Sequence, residues 1–152
     1  MNAIAALLPV SNIVVGLDVE SKAQCFAAIG RLFEASSGLS QARVAASLAA
    51  REKLGSTGLG QGIAIPHGRI PALADAVGAF VRLARPIAFD APDGKPVDQL
   101  FVLLVPEQAT DRHLQLLSEL AQMFSDRAFR ARLNEAGGAA DIEEAFRGWQ
   151  PN

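Results

Sequence analysis

Leu100-Phe101-Val102-Leu103-Leu104-Val105 is an unbroken apolar run of six residues. A run of this length, with no polar face, reads as a central strand covered on both sides. Such a strand needs a neighbour within the sheet and helices above and below it. Gly78 to Leu83 supplies the neighbour, with Asp93-Gly94 marking a turn between the two. Ile13-Val14-Val15 reads as a further strand closed by Gly16, because β-branched residues suit a pleated, half-buried surface. Ile63-Ala64-Ile65 reads as a short strand stopped by Pro66.

The helices come in two blocks. Asp18 or Ser21 can cap a helix running to about Ser36, whose residues Phe26, Ile29, Gly30 and Phe33 recur at i, i+3, i+4 and i+7. Ser40 caps a second, to about Arg51 or Lys53, with Val44 and Leu48 facing inward. After the apolar run, Thr110 or Asp111 starts a helix to about Phe124. Ser125 or Asp126 starts another carrying Phe129 and Leu133, and Gly137-Gly138 ends it. Asp141 caps a last helix through Ile142, Ala145, Phe146 and Trp149. The order, roughly β-α-α-β-β-β-α-α-α, predicts an α+β fold: a three-layer α/β/α sandwich with a small central mixed β-sheet. The length of 152 residues predicts one domain, 1–152.

Composition removes several function classes. With 50% hydrophobic residues the chain can build a core without staples. Fourteen basic against sixteen acidic residues give a net charge of −2, which disfavours nucleic acid as a partner. Cys25 is the only cysteine, so an intramolecular disulfide is impossible. His67 and His113 are the only histidines, a poor basis for zinc. No stretch approaches the roughly 18–20 apolar residues of a membrane span, and Met1 to Val15 lacks the charged head of a signal peptide. These features predict a cytoplasmic protein without membrane insertion.

Gly55, Gly58, Gly60 and Gly62 place four glycines in eight residues. The spacing from Gly55 to Gly60 imitates a phosphate-cradling loop, but Gln61-Gly62 replaces its Lys-[Ser/Thr], and no dinucleotide fingerprint fits either. No cofactor and no metal are therefore expected. Two readings of the loop stay open: a tight connection shaped by sterics, or a backbone that lets a partner or an anion approach its N–H groups.

His67 follows directly, in Ile65-Pro66-His67-Gly68-Arg69. An imidazole between a rigid proline and a glycine has a fixed backbone and little cover. It is either a bland loop histidine or one presented to a partner, and a neutral imidazole is a good nucleophile near neutral pH. His113 falls in the first turn of its helix, on one face with Leu116, Leu117 and Leu120. It can hydrogen-bond a phosphoryl oxygen beside the positive helix end, or be a buried histidine satisfied by a backbone carbonyl. Arg51 and Arg69 are candidate anion clamps, or simply solvated cations.

The nineteen residues Arg51-Glu52-Lys53-Leu54-Gly55-Ser56-Thr57-Gly58-Leu59-Gly60-Gln61-Gly62-Ile63-Ala64-Ile65-Pro66-His67-Gly68-Arg69 resemble the phosphorylation-site signature of the fructose/mannitol type of phosphotransferase-system enzyme IIA. Leu103-Leu104-Val105-Pro106, followed by His113-Leu114, resembles the family's second histidine segment. The similarity runs from about Ile4 to about Trp149, and a chain without attached domains resembles the nitrogen-related branch. The resemblance implies that His67 takes a phosphoryl group on Nε2 from a small HPr-like phosphocarrier (NPr), itself charged by a phosphoenolpyruvate-dependent enzyme I. It implies that His113 stabilises the phosphoryl group and that Arg51 neutralises charge. It also implies downstream regulatory targets in potassium transport or among sensor kinases. A sugar-specific IIA component and a non-catalytic binding module on the same fold are the alternatives.

Overall fold

The computed structural model describes residues 2–108 and 111–151. Two 3-10 turns (Ala5–Leu7 and Val10–Asn12) lead into β1 (Ile13–Leu17), α1 (Lys22–Ser37) and α2 (Gln41–Lys53). Four strands follow, β2 (Gly58–Gly60), β3 (Ile63–Ala64), β4 (His67–Ile70) and β5 (Val77–Ile87), then β6 (Val97–Pro106). The chain ends with α3 (Asp111–Ser125), α4 (Arg127–Glu135) and α5 (Ala139–Gly148).

The apolar run is the middle of β6, and its two-residue period divides the core. Phe101, Leu103 and Val105 face one way, onto Leu116 and Leu120 of α3 and Phe129, Ile142 and Phe146 of α4 and α5. Leu100, Val102 and Leu104 face the other way, onto Phe26, Ile29 and Phe33 of α1 and Val44 and Leu48 of α2. Helices thus cover both faces of a mixed six-stranded sheet, the expected three-layer α+β arrangement. Phe146 sits at the centre of the first layer, its ring 5.1–6.2 Å from those of Phe80, Phe101, Phe124 and Phe129.

The sheet order is β1-β5-β6-β3-β2, with β4 also on β6. β5 is antiparallel to β6, and β1 is parallel to β5. Between Ile63 and Ile70 the chain runs beside β6 in one constant parallel register: Ile63 opposite Gln99, His67 opposite Leu103 and Ile70 opposite Pro106. The ladder breaks only at Ile65-Pro66, since proline offers no N–H. There the Ile65 N–H donates to the Thr57 carbonyl at 2.9 Å, and Leu103 N–H donates to the Pro66 carbonyl at 3.0 Å.

Four sequence expectations change. Gly16 does not close β1: the strand continues to Leu17 across a register shift, with Gly16 at φ 84°. His67 opens β4 and does not lie beyond a strand's end. The glycine-rich segment contains β2, which pairs antiparallel with β3. Asp141 is not the cap of α5, because the extended Gly138 takes that place and the helix starts at Ala139. Asp141 instead accepts from the Gly137 N–H at 3.3 Å. Ser21, Ser40 and Asp126 cap α1, α2 and α4 through their side chains. Thr110, one of two caps expected for α3, lies outside the described residues.

Candidate functional site

The register of β4 aims the His67 side chain to the face shared with Leu103, towards α3. Its Nδ1 lies 2.8 Å from the Ile65 carbonyl oxygen. A carbonyl only accepts, so Nδ1 carries the proton and Nε2 keeps its lone pair. The Pro66 ring fixes the turn that brings this carbonyl under the imidazole. The ring is half-buried and opens onto a cavity of about 400 Å³.

Arg51 arrives from the opposite layer. α2 packs against β4 at Gly68, where a Cβ would lie 2.2 Å from Ser47 Oγ. With no side chain there, the last turn of α2 comes close enough for Arg51 to reach the sheet edge. Its Nε donates to His67 Nε2 at 3.2 Å, and its Nη1 donates to the Gly55 carbonyl at 2.9 Å. His113, in the first turn of α3, places its ring 5.5 Å from that of His67 at an interplanar angle of 74°. Its Nδ1 is buried and has no hydrogen-bond partner among the described residues. Arg69, two residues along β4, donates to the Glu107 carbonyl at 3.3 Å. His67, His113, Arg51 and Arg69 all line the one cavity. The structure therefore brings together all four side chains singled out in the sequence.

Both imidazoles are held below the ordinary histidine value of 6.5. For His67 burial is the main cause and the Arg51 cation adds to it, against the opposing effects of the Ile65 carbonyl and Glu52. For His113 burial again leads, followed by the charges of His67 and Arg69. Neutral rings at neutral pH follow. The site thus offers an unprotonated Nε2, a permanent cation hydrogen-bonded to it, and a second imidazole alongside. Those are the parts needed to receive and neutralise an electrophilic anion.

The glycine-rich loop resolves as a tight connection. Gly60, Gln61 and Gly62 take consecutive positive φ values of 90°, 59° and 79°, turning β2 into β3. The Gln61 N–H donates to Asp93 Oδ2 at 3.0 Å. A carboxylate occupies that N–H, and its two backbone hydrogen bonds, from Gln61 and Lys95, hold its pKa down. An anion would meet a like charge there. Glu52, which the sequence reading passed over, lies beside Arg51 with its side chain largely covered and accepts from both Thr57 and Lys22. Its signal was faint: an acidic residue in a helix's last turn, five positions before a threonine in a bend. Among the described residues, no group of three His, Cys, Asp or Glu gathers as metal ligands. No described helix is long and apolar enough to cross a membrane.

Comparison with known proteins gives a consistent picture. The family described as "Phosphoenolpyruvate-dependent sugar phosphotransferase system, EIIA 2" matches residues 6–148. A Pseudomonas aeruginosa nitrogen regulatory protein is 54% identical over 90 residues, 59% of this chain and 58% of that protein's length. A Klebsiella oxytoca nitrogen regulatory protein is 44% identical over 126 residues, 82% of this chain and 78% of that one. The crystal structure of nitrogen regulatory protein IIA-Ntr from Neisseria meningitidis superposes with a TM-score of 0.89 at 50% identity, covering 95% of this chain and 99% of the other. The chain belongs to the EIIA 2 family of the phosphoenolpyruvate-dependent phosphotransferase system, within its nitrogen-related branch.

Proposed function

We propose that this chain is a phosphohistidine carrier. His67 Nε2 accepts a phosphoryl group from a phosphohistidine on an HPr-like protein (NPr). The charge then carried at His67 sets which regulatory targets, such as a potassium transporter or a sensor kinase, the protein binds. One observation supports this above all: a neutral imidazole whose Nδ1–H is tied to the Ile65 carbonyl, and whose Nε2 faces a guanidinium in an open cavity.

The step balances without a metal or a free proton. The Nε2 lone pair forms the new N–P bond while the donor's N–P bond breaks and the donor imidazole leaves with its electron pair. The His67 ring keeps its Nδ1 proton and becomes formally cationic, and the Ile65 carbonyl stabilises that charge. As Nε2 attacks, the Arg51 Nε–H is freed to donate to a phosphoryl oxygen. His113 lies beside the incoming group and can donate to it as well. Charge spread over the in-line transition state makes position and electrostatics the main sources of rate. Because the ring keeps its proton, the phosphoryl dianion is partly offset by the ring cation and the cavity rim gains a net charge of about −1, which changes what can dock there.

The test is transfer of labelled phosphate from phosphoenolpyruvate through enzyme I and the HPr-like carrier. Acid-labile, base-stable label is expected on the wild type and none on His67→Ala. Label that persists in His67→Ala overturns the assignment. His113→Ala is expected to slow transfer while His67 still accepts.

A further inference from the structure

Around Glu52 lies a part-buried polar cluster that touches none of the reacting atoms. Its side chain is 7% exposed and forms an ion pair with Lys22 Nζ at 2.8 Å. The same carboxylate accepts from Thr57 Oγ1 at 2.7 Å and from the Thr57 N–H at 3.1 Å. Lys22 is held in turn, its Nζ 4.7 Å from the centre of the Phe89 ring. One carboxylate thereby ties the start of α1, the end of α2 and the bend after α2 together.

The bend so fixed carries the Gly55 carbonyl. Gly55 N–H donates to the Glu52 carbonyl at 3.1 Å, and two residues later Thr57 is clamped to the Glu52 side chain. Between these anchors Gly55 takes φ 149°, a backbone state that side chains rarely allow, although a Cβ there would meet nothing within 4 Å. Its carbonyl is thus held where Arg51 Nη1 donates to it, at 2.9 Å. That contact fixes one side of the guanidinium fork, and the other side, Nε, rests on His67 Nε2. Surface ion pairs contribute little to stability, but a buried carboxylate with three donors is costly to disturb.

We infer that Glu52 is a positioning residue for the phosphoryl transfer proposed above: clamped to Lys22 and Thr57, it holds the Gly55 carbonyl that orients Arg51 against His67. The inference rests on the carrier reading for its effect on rate, and on geometry alone for its effect on Arg51. A displaced guanidinium of this kind lowers a transfer rate by up to about a hundredfold.

The experiment measures single-turnover transfer from the phosphorylated HPr-like carrier to the full chain. In Glu52→Gln and Thr57→Val the maximal rate is expected to fall about tenfold to a hundredfold. The carrier concentration at half-maximal rate should stay unchanged. Thr57→Ser keeps both hydrogen bonds and should run close to wild type. In an Arg51→Ala background, Glu52→Gln should cost less than about twofold more, because its effect passes through Arg51. Wild-type rates in both Glu52→Gln and Thr57→Val, or full multiplication with Arg51→Ala, would overturn the inference. Should Glu52→Gln fail to fold, Thr57→Val and its Thr57→Ser rescue carry the test. NMR of the unphosphorylated protein separates this inference from the carrier reading. The Arg51 Nε–H signal should be protected from exchange in wild type and lost in Thr57→Val, whether or not His67 ever takes label. An unaltered signal overturns the positioning role, whereas an unlabelled wild type overturns only the carrier reading.

Discussion

Arg51 Nε–H lies 3.2 Å from His67 Nε2 and donates to it, so a permanent cation rests on the one ring atom that keeps a lone pair. In the unphosphorylated state this contact suppresses protonation of the nucleophile and fills its lone pair. Under the proposed transfer the contact opens during attack, and the same N–H becomes available to the phosphoryl oxygens.

Replacing Arg51 separates these effects. Arg51→Ala is expected to raise the pKa of His67, since the cation that lowers it is gone. Transfer should nonetheless slow by about ten- to a hundredfold, because charge neutralisation is lost. Arg51→Lys should recover the charge but not the fork that spans Gly55 and His67. NMR titration of His67 alongside transfer kinetics checks both. A faster Arg51→Ala would show that the hydrogen bond only inhibits.

Acid should loosen the fold through the same rings. Both histidines titrate below 6.5 in the folded chain and near 6.5 when unfolded. The unfolded chain therefore binds more protons as the pH falls below about 6.5, and stability drops through that window. Melting curves of wild type and of a His67→Gln, His113→Gln double variant should separate between pH 7.5 and 5 as buffer points. The wild type should lose more on acidification. Parallel curves would mean the rings are not held neutral.

Gly68 is a steric requirement of the α2–β4 contact. Gly68→Ala places a methyl group 2.2 Å from Ser47 Oγ and 3.2 Å from Ser47 Cβ. A loss of about 1–3 kcal/mol is expected in denaturant unfolding. Ser47→Ala should recover part of it, although the bond from Ser47 Oγ to the Arg69 carbonyl goes too. Undiminished stability in Gly68→Ala would show that α2 can retreat freely.

Cys25 is fully buried on α1, and burial pushes its thiol up to about 12. The native protein should ignore an aromatic disulfide reagent at mildly alkaline pH and react fully once denatured. Prompt labelling without denaturant would contradict the packing of α1.

Elements with a strong period of their own were legible from sequence. β6 announced itself as an apolar run, and α1 and α2 by capping serines and spaced apolar residues. β2 and β4 were not, because three or four residues rich in glycine become strands only by lying against β3 and β6. Asp141 misled for a related reason, since the flexible Gly137-Gly138 pair let the helix begin earlier. At the site, Pro66-His67-Gly68 marked the imidazole, and its backbone brackets proved to be the reason for its pose. The meeting of Arg51 with His67 was implied only by the family resemblance and not by local pattern, as it depends on a register along β6 and on a bare Gly68 beneath α2. Glu52 was silent because its partners Lys22 and Thr57 come from other segments.

His67 belongs to the layer capped by α3, and Arg51 to the layer capped by α2, and they touch only around the edge of the sheet. Should either helical layer detach, the pair separates and Nε2 loses its guanidinium. If the carrier reading holds, the molecule carries its own proofreading for completeness: a half-assembled chain has an imidazole but no charge-neutralising mate, and only an intact sandwich is fit to be loaded.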